Sequence, residues 1–206
     1  MKTTENYLSE ISEIRKMMQE SSRFLTLSGL SGILVGIYAL AGAVMADSLL
    51  FTSQIFSWLK GNNVVADLSV LAGIILSLSI ITIVILTSIR VKKAGKKFWN
   101  IGSRQMLLNL SVPLLSGGLL IIVFVFKGFY EIVVPGTLVF YGLSLVNAAK
   151  FTRNEIFYLG LFQLILGIVA AILPSIGILL WALGFGLLHI IYGVLMYFRY
   201  EYSPKG

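Results

Sequence analysis

His189 is the only histidine in the 206-residue chain. It lies inside a long apolar stretch, where an ionisable side chain is a functional candidate by default. Gln163 is the strongest polar companion to it in the neighbouring stretch. Together they form the candidate intramembrane polar site, with the proton chemistry of an imidazole or the hydrogen bonding of an interhelical joint as its two uses. Carboxylates are not available for ion coupling at that depth, because Asp47, Asp67, Glu131 and Glu155 all stand at the ends of apolar stretches. With no cysteine and one histidine, clustered His/Cys metal sites are excluded, and no metal or other cofactor is expected. No phosphate-cradling glycine loop followed by Lys-Ser/Thr occurs. The one nucleophile worth weighing is Ser144, in Gly142-Leu143-Ser144, with His189 as its base in the manner of an intramembrane serine protease of rhomboid type. No glycine follows Ser144, and the second apolar stretch lacks an oxyanion His or Asn. Ser144 and His189 also differ in depth by about 6 Å at 1.5 Å per residue. The protease is therefore a remote alternative, and no catalytic residue is expected.

The elements that must position these residues follow from composition. Hydrophobic residues make up 57% of the chain and charged residues 12%, about half the charge of a soluble domain. Mean hydropathy is +0.92. A soluble enzyme, a disordered chain and a disulfide scaffold are all excluded. A membrane-crossing helix needs roughly 20 mainly apolar residues. Six stretches qualify: Phe24–Ala46, Ser69–Ile89, Met106–Phe126, Ile132–Ala149, Ile156–Leu173 and Ile176–Phe198. The expected fold is all-α: a polytopic membrane protein of six spans in three hairpins. Residues 1–23 form a leader, 24–198 the bundle and 199–206 a short tail.

Basic residues orient it. Lys2, Arg15, Lys16, Arg23, Arg90, Lys92, Lys93, Lys96, Lys97, Arg104, Lys150, Arg153, Arg199 and Lys205 fall on one side, leaving only Lys60 and Lys127 on the other. The positive-inside rule then predicts both termini in the cytoplasm. The net charge of +7 serves topology, and nucleic-acid binding is not expected from the basic run 90–97.

In the leader, Tyr7, Ile11, Ile14 and Met18 share one face of an amphipathic helix over residues 5–20. That helix is the expected contact for a protein partner or the membrane surface. Outside, Phe51, Ile55, Trp58 and Leu59 suggest an interfacial helix over 48–60.

Small residues let helices approach closely in lipid. Ser28, Gly32, Gly36, Ala39 and Ala43 line one face of the first span. Gly160, Gln163, Gly167 and Ala170 line the fifth, and Ala182, Gly186, His189 and Gly193 the sixth. The short turn at Pro174-Ser175 makes the last two antiparallel neighbours. The expected pairs are Gly167 with Ala182, Gln163 with Gly186 and Gly160 with His189, with Gln163 and His189 in reach of each other. In the third span Pro113 lacks the amide that would bond the Asn109 carbonyl, which makes it a possible hinge.

Residues 29–40 (GLSGILVGIYAL) echo 160–171 (GLFQLILGIVAA), and Tyr141-Gly142 echoes Tyr192-Gly193. These echoes suggest hairpins related by rotation about the membrane normal. The stretches LGIVAAILP at 166–174 and LGFGLLHIIYGVL at 183–195 resemble the HdeD-like bacterial membrane proteins. The leader RKMMQESSRFLTLSGLSG at 15–32 resembles that of uncharacterised six-span proteins of Bacteroidetes type. The first resemblance implies a six-span fold and an association with acid or envelope stress. The functional expectation is a stress-tolerance or regulatory protein of the bacterial inner membrane, without catalysis. Its expected contacts are the lipid bilayer, a protein partner through residues 5–20, and further copies of itself as a possible homo-oligomer. The alternative is a small channel or facilitator lined by polar groups of spans three to six.

Overall fold

The structure, a computed structural model, describes residue 24 and residues 27–55, 64–95 and 97–202. The leader helix expected over residues 5–20 lies outside the described residues. Six helices among the described residues are long and apolar enough to cross a membrane. They are α1 (Gly29–Ile55), α2 (Val64–Lys93), α3 (Ile101–Phe126), α4 (Val133–Ala148), α5 (Asn154–Ile172) and a composite sixth span. The sixth begins as α6 (Gly177–Trp181), widens into a π-helical turn over Ala182–Leu188, and ends as α7 (His189–Tyr200).

Helix limits depart from the hydropathy limits in both directions: α1 starts at Gly29, not at Phe24, and runs past Ala46. Between Ala46 and Ile55 there is neither Pro nor Gly, so α1 runs on to Ile55 in place of a separate interfacial helix starting at 48. Residues 56–60 of that expected helix lie outside the described residues. At the start of α3, Asn100 and Ser103 cap each other reciprocally, each side chain bonding the other's amide at 2.9 Å. This fixes the helix start five residues before the apolar stretch. Gly95 (φ 65°) and Gly128 (φ 81°) turn the chain before and after α3 in the left-handed region that favours glycine.

The glycine stripes decide which helices touch. A Cβ on Gly193 would lie 2.5 Å from the Ile33 amide nitrogen and 2.6 Å from the Gly29 carbonyl oxygen. One on Gly36 would lie 2.6 Å from the Gly186 carbonyl oxygen. The first and sixth spans therefore meet backbone to backbone. The same contact recurs between α4 and α5, where a Cβ on Gly142 or on Gly160 would sit 2.8 Å from the other's carbonyl oxygen. Gly167 faces Val139 and Leu138 of α4. The glycine pairing expected between spans five and six is thus corrected: Gly160 and Gly167 serve α4, while Gly186 and Gly193 serve α1. Close approach needs thin faces on both helices, and the stripe of α1 and Gly142 of α4 supply the matching ones. The two sequence echoes are the two sides of this repeated contact. Gly29 meets Gly193 as its counterpart Gly160 meets Gly142.

The outermost helices in this arrangement are α2, against α1, and α3, against α4. Buried residues make up only 11% and 6% of their most apolar stretches. At the end that carries Arg90, Arg153 and Arg199 they converge again. Val91 and Met106 join Phe24 and Ala148 in one apolar cluster. Phe24 is tied there by its amide to the Phe151 carbonyl (2.8 Å) and by Thr152 Oγ1, which donates to its carbonyl (2.7 Å). Arg90 donates to the carbonyls of Leu27 and Tyr200 and pairs with Glu201 at 2.8 Å. Glu201 also accepts from the Gly29 amide and so caps α1.

Pro113 sits within the uninterrupted α3. The Asn109 carbonyl that it deprives of a donor accepts instead from Asn147 Nδ2 of α4 at 3.0 Å. A neighbouring helix thus restores what proline removed. Movement at this possible hinge has to break that bond. Asn147→Leu is expected to lower stability by about 1 kcal/mol, read from unfolding in mixed micelles. An unchanged midpoint would show that the Asn109 carbonyl finds another donor.

Candidate functional site

The polar site is assembled around one carbonyl, that of Gly184. The π-turn widens the backbone of the sixth span at this level, a distortion frequent at functional sites. Gln163 Nε2 donates to the Gly184 oxygen at 2.8 Å, and His189 Nδ1 lies 2.9 Å from the same oxygen. Gln163 and His189 are therefore brought together through a shared acceptor, not by bonding each other. The residue opposite Gln163 is Gly184, two positions from the expected Gly186.

A carbonyl only accepts, so His189 Nδ1 carries the hydrogen. Its Nε2 then accepts from the Tyr141 hydroxyl of α4, 2.8 Å away. Tyr141, Phe185 and His189 stack, with ring centroids 5.0 to 5.9 Å apart, and Trp181 extends the stack against Phe185 at 4.9 Å. Trp181, Phe185 and His189 follow at spacings of four, which stacks them along one face of the sixth span. Gln163 is 0% exposed and His189 4%. The site is filled by protein on all sides.

Glycine at 184 is required by the Gln163 amide. A Cβ there would sit 2.5 Å from Gln163 Oε1 and 2.6 Å from Leu138 Cδ2. Oε1 has no conventional donor. It lies on the side of Gly184 where a Cβ would stand. The amide cannot turn over, because that would bring two carbonyl-type oxygens together. Gln163 thus grips one residue of the sixth span from both sides of its amide.

The nucleophile pair expected of a protease is not assembled. Ser144 Oγ donates to the Phe140 carbonyl at 2.7 Å, and both ring nitrogens of His189 are taken by Gly184 and Tyr141. Among the described residues no group of three His, Cys, Asp or Glu side chains is placed to hold a metal ion. No family model, curated protein or solved structure matches the chain.

Sequence reasoning missed Gly184 and the Tyr141 bond to His189. Tyr141 was marked only by its echo in Tyr192. It also missed a second cluster at the basic end. There Glu155 Oε1 accepts from Arg199 Nη1 at 3.0 Å and from the Tyr200 hydroxyl at 2.7 Å, while Arg153 lies 3.6 Å over the Tyr200 ring. Shallow clefts open on the surface of the described residues. One of about 480 Å³ lies by Phe124, Gly128 and Tyr130–Ile132. One of about 360 Å³ lies by Glu155, Val194, Leu195, Phe198 and Arg199. Neither is lined by Gln163 or His189.

Proposed function

We propose that this chain is a non-catalytic protein of the bacterial cytoplasmic membrane, of the stress-tolerance or regulatory kind, that works through contact with a protein partner. In this reading its six spans form three hairpins and both termini face the cytoplasm. The observation that carries the reading is the filled polar site. Gln163, His189 and Tyr141 spend their hydrogen bonds on joining three spans, and the rings of Phe185 and Trp181 occupy the space that a solute path would need. The largely unburied α2 and α3 leave two apolar walls for lipid, for a partner or for a second copy. The amphipathic pattern of residues 5–20 supplies a contact on the cytoplasmic side.

One observation favours the facilitator as a second reading. The Tyr192 hydroxyl is buried without a hydrogen-bond partner among the described residues, one helical turn from His189 toward the basic end. A polar half-path from that end would give it one.

Affinity capture of the tagged chain from native membranes, compared with a variant lacking residues 5–20, tests the contact reading. The expected result is a stoichiometric protein partner retained by the full chain and lost from the variant. Capture of nothing above background, with raised permeability of proteoliposomes to a small neutral solute, would overturn it in favour of the facilitator.

A further inference from the structure

We infer that the open cleft on α7 beside the first turn of α5, at the basic end, binds one phospholipid whose headgroup carries a primary ammonium beside its phosphate, a lipid of the phosphatidylethanolamine class. The cleft holds about 360 Å³ and is lined by Val194, Leu195 and Phe198, with Glu155 and Arg199 at its mouth. Glu155 stands in the first turn of α5 and Arg199 in the last turn of α7, so both lie where a span leaves the apolar layer. Phe198 and Val194 follow one turn apart below Arg199, which gives an acyl chain an apolar wall about 6 Å deep.

The mouth sets the Glu155 carboxylate beside the Arg199 guanidinium, with the Arg153 charge also acting on Glu155. Both side-chain bonds to Glu155, from Arg199 and from the Tyr200 hydroxyl, go to Oε1, leaving Oε2 without a side-chain partner among the described residues. Arg199 uses Nη1 alone in this pair and remains 69% exposed. A carboxylate oxygen and guanidinium N–H groups therefore stand side by side, 3.0 Å apart at the bridge. That is the complement of a zwitterion whose phosphate and ammonium are a two-carbon link apart: the guanidinium takes the phosphate and Oε2 takes the ammonium. The acceptor is held in place, because Tyr200 fixes Oε1 and Arg153 clamps the Tyr200 ring at 3.6 Å. A trimethylated headgroup has no N–H to offer Oε2, and a glycerol headgroup has no cation. The inference is independent of the partner reading above.

Native mass spectrometry of the full chain released from nanodiscs containing equal parts phosphatidylethanolamine, phosphatidylcholine and phosphatidylglycerol tests it. One phosphatidylethanolamine per chain is expected to survive, about fivefold over either competitor. Glu155→Gln, which keeps an acceptor for Tyr200, is expected to erase the preference over phosphatidylcholine. Arg199→Gln is expected to lower retention of all three. Equal retention of the three lipids by the unmodified chain, as for an ordinary annular shell, would overturn the inference. So would a preference for phosphatidylglycerol, or an ethanolamine preference that survives Glu155→Gln. The competition on the unmodified chain decides even if a variant does not fold.

Discussion

Gly193→Val is expected to abolish the folded bundle, while Gly73→Val and Gly118→Val leave it intact. The difference lies in what each new side chain meets. At Gly193 the first added carbon would lie 2.5 Å from the Ile33 nitrogen and 2.6 Å from the Gly29 oxygen, both backbone atoms of α1. A side chain can rotate away from such a collision, but a helix backbone cannot. Relief requires α1 and α7 to separate, which undoes the contacts on either side at Gly29 and Gly36. Overpacking of this kind costs about 3 kcal/mol or more, and helices in lipid have no hydrophobic attraction to offset it. At Gly73 and Gly118 nothing lies within 4 Å of the added carbon. Thermal unfolding in detergent, followed by tryptophan fluorescence, would read the contrast. Equal melting of all three variants would show that the glycine seam between the first and sixth spans does not hold the fold.

The second large effect is at Gly184. Gly184→Ala is expected to lower stability by about 2 kcal/mol, because its Cβ would sit 2.5 Å from Gln163 Oε1. About half of that cost is specific to the grip and is expected to go when Gln163 is alanine, since the colliding oxygen is gone and only the Leu138 Cδ2 contact at 2.6 Å remains. A double-mutant cycle in mixed micelles should therefore give a coupling of about 1 kcal/mol between the two positions. Additive effects would mean that the clash falls on Leu138 and that Gln163 is not gripping the π-turn.

How much of this was legible in the sequence varies with the kind of interaction. The six spans were legible because hydropathy over some 20 residues is a property of composition, and charges cut the stretches cleanly. Their limits were not, as α3 shows: it starts at the Asn100–Ser103 cap, five residues before the apolar run. The thin faces were legible from Gly32, Gly36, Gly160, Gly167, Gly186 and Gly193. Their partners were not, because a stripe states how near a helix can come without stating which one comes. Chain adjacency pointed to spans five and six, while the closest backbone contacts are one–six and four–five. Gln163 and His189 were legible as interior groups, since neither is tolerable in lipid. Their meeting point was hidden, because it is a carbonyl exposed by a π-turn and no side chain marks such a turn. The Asn109 carbonyl freed by Pro113 followed from covalent structure alone, whereas its donor, Asn147, required the packing of α3 on α4. Glu201, read as part of a short tail, proved to cap α1 and pair with Arg90.

Accessibility at the polar site is the most direct test that it joins helices and does not line a passage. The chain has no cysteine, so single cysteines at Ser144 and at Gln163 report without background. Ser144 and Gln163 are both fully buried, whereas Lys127, at the end of α3, is exposed. A small thiol reagent applied to intact membranes is predicted to label Lys127→Cys readily. Ser144→Cys and Gln163→Cys should react only after the protein is unfolded in hot detergent. Labelling of either buried position at the rate of Lys127→Cys in the folded protein would contradict the sealed joint and with it the contact-based function.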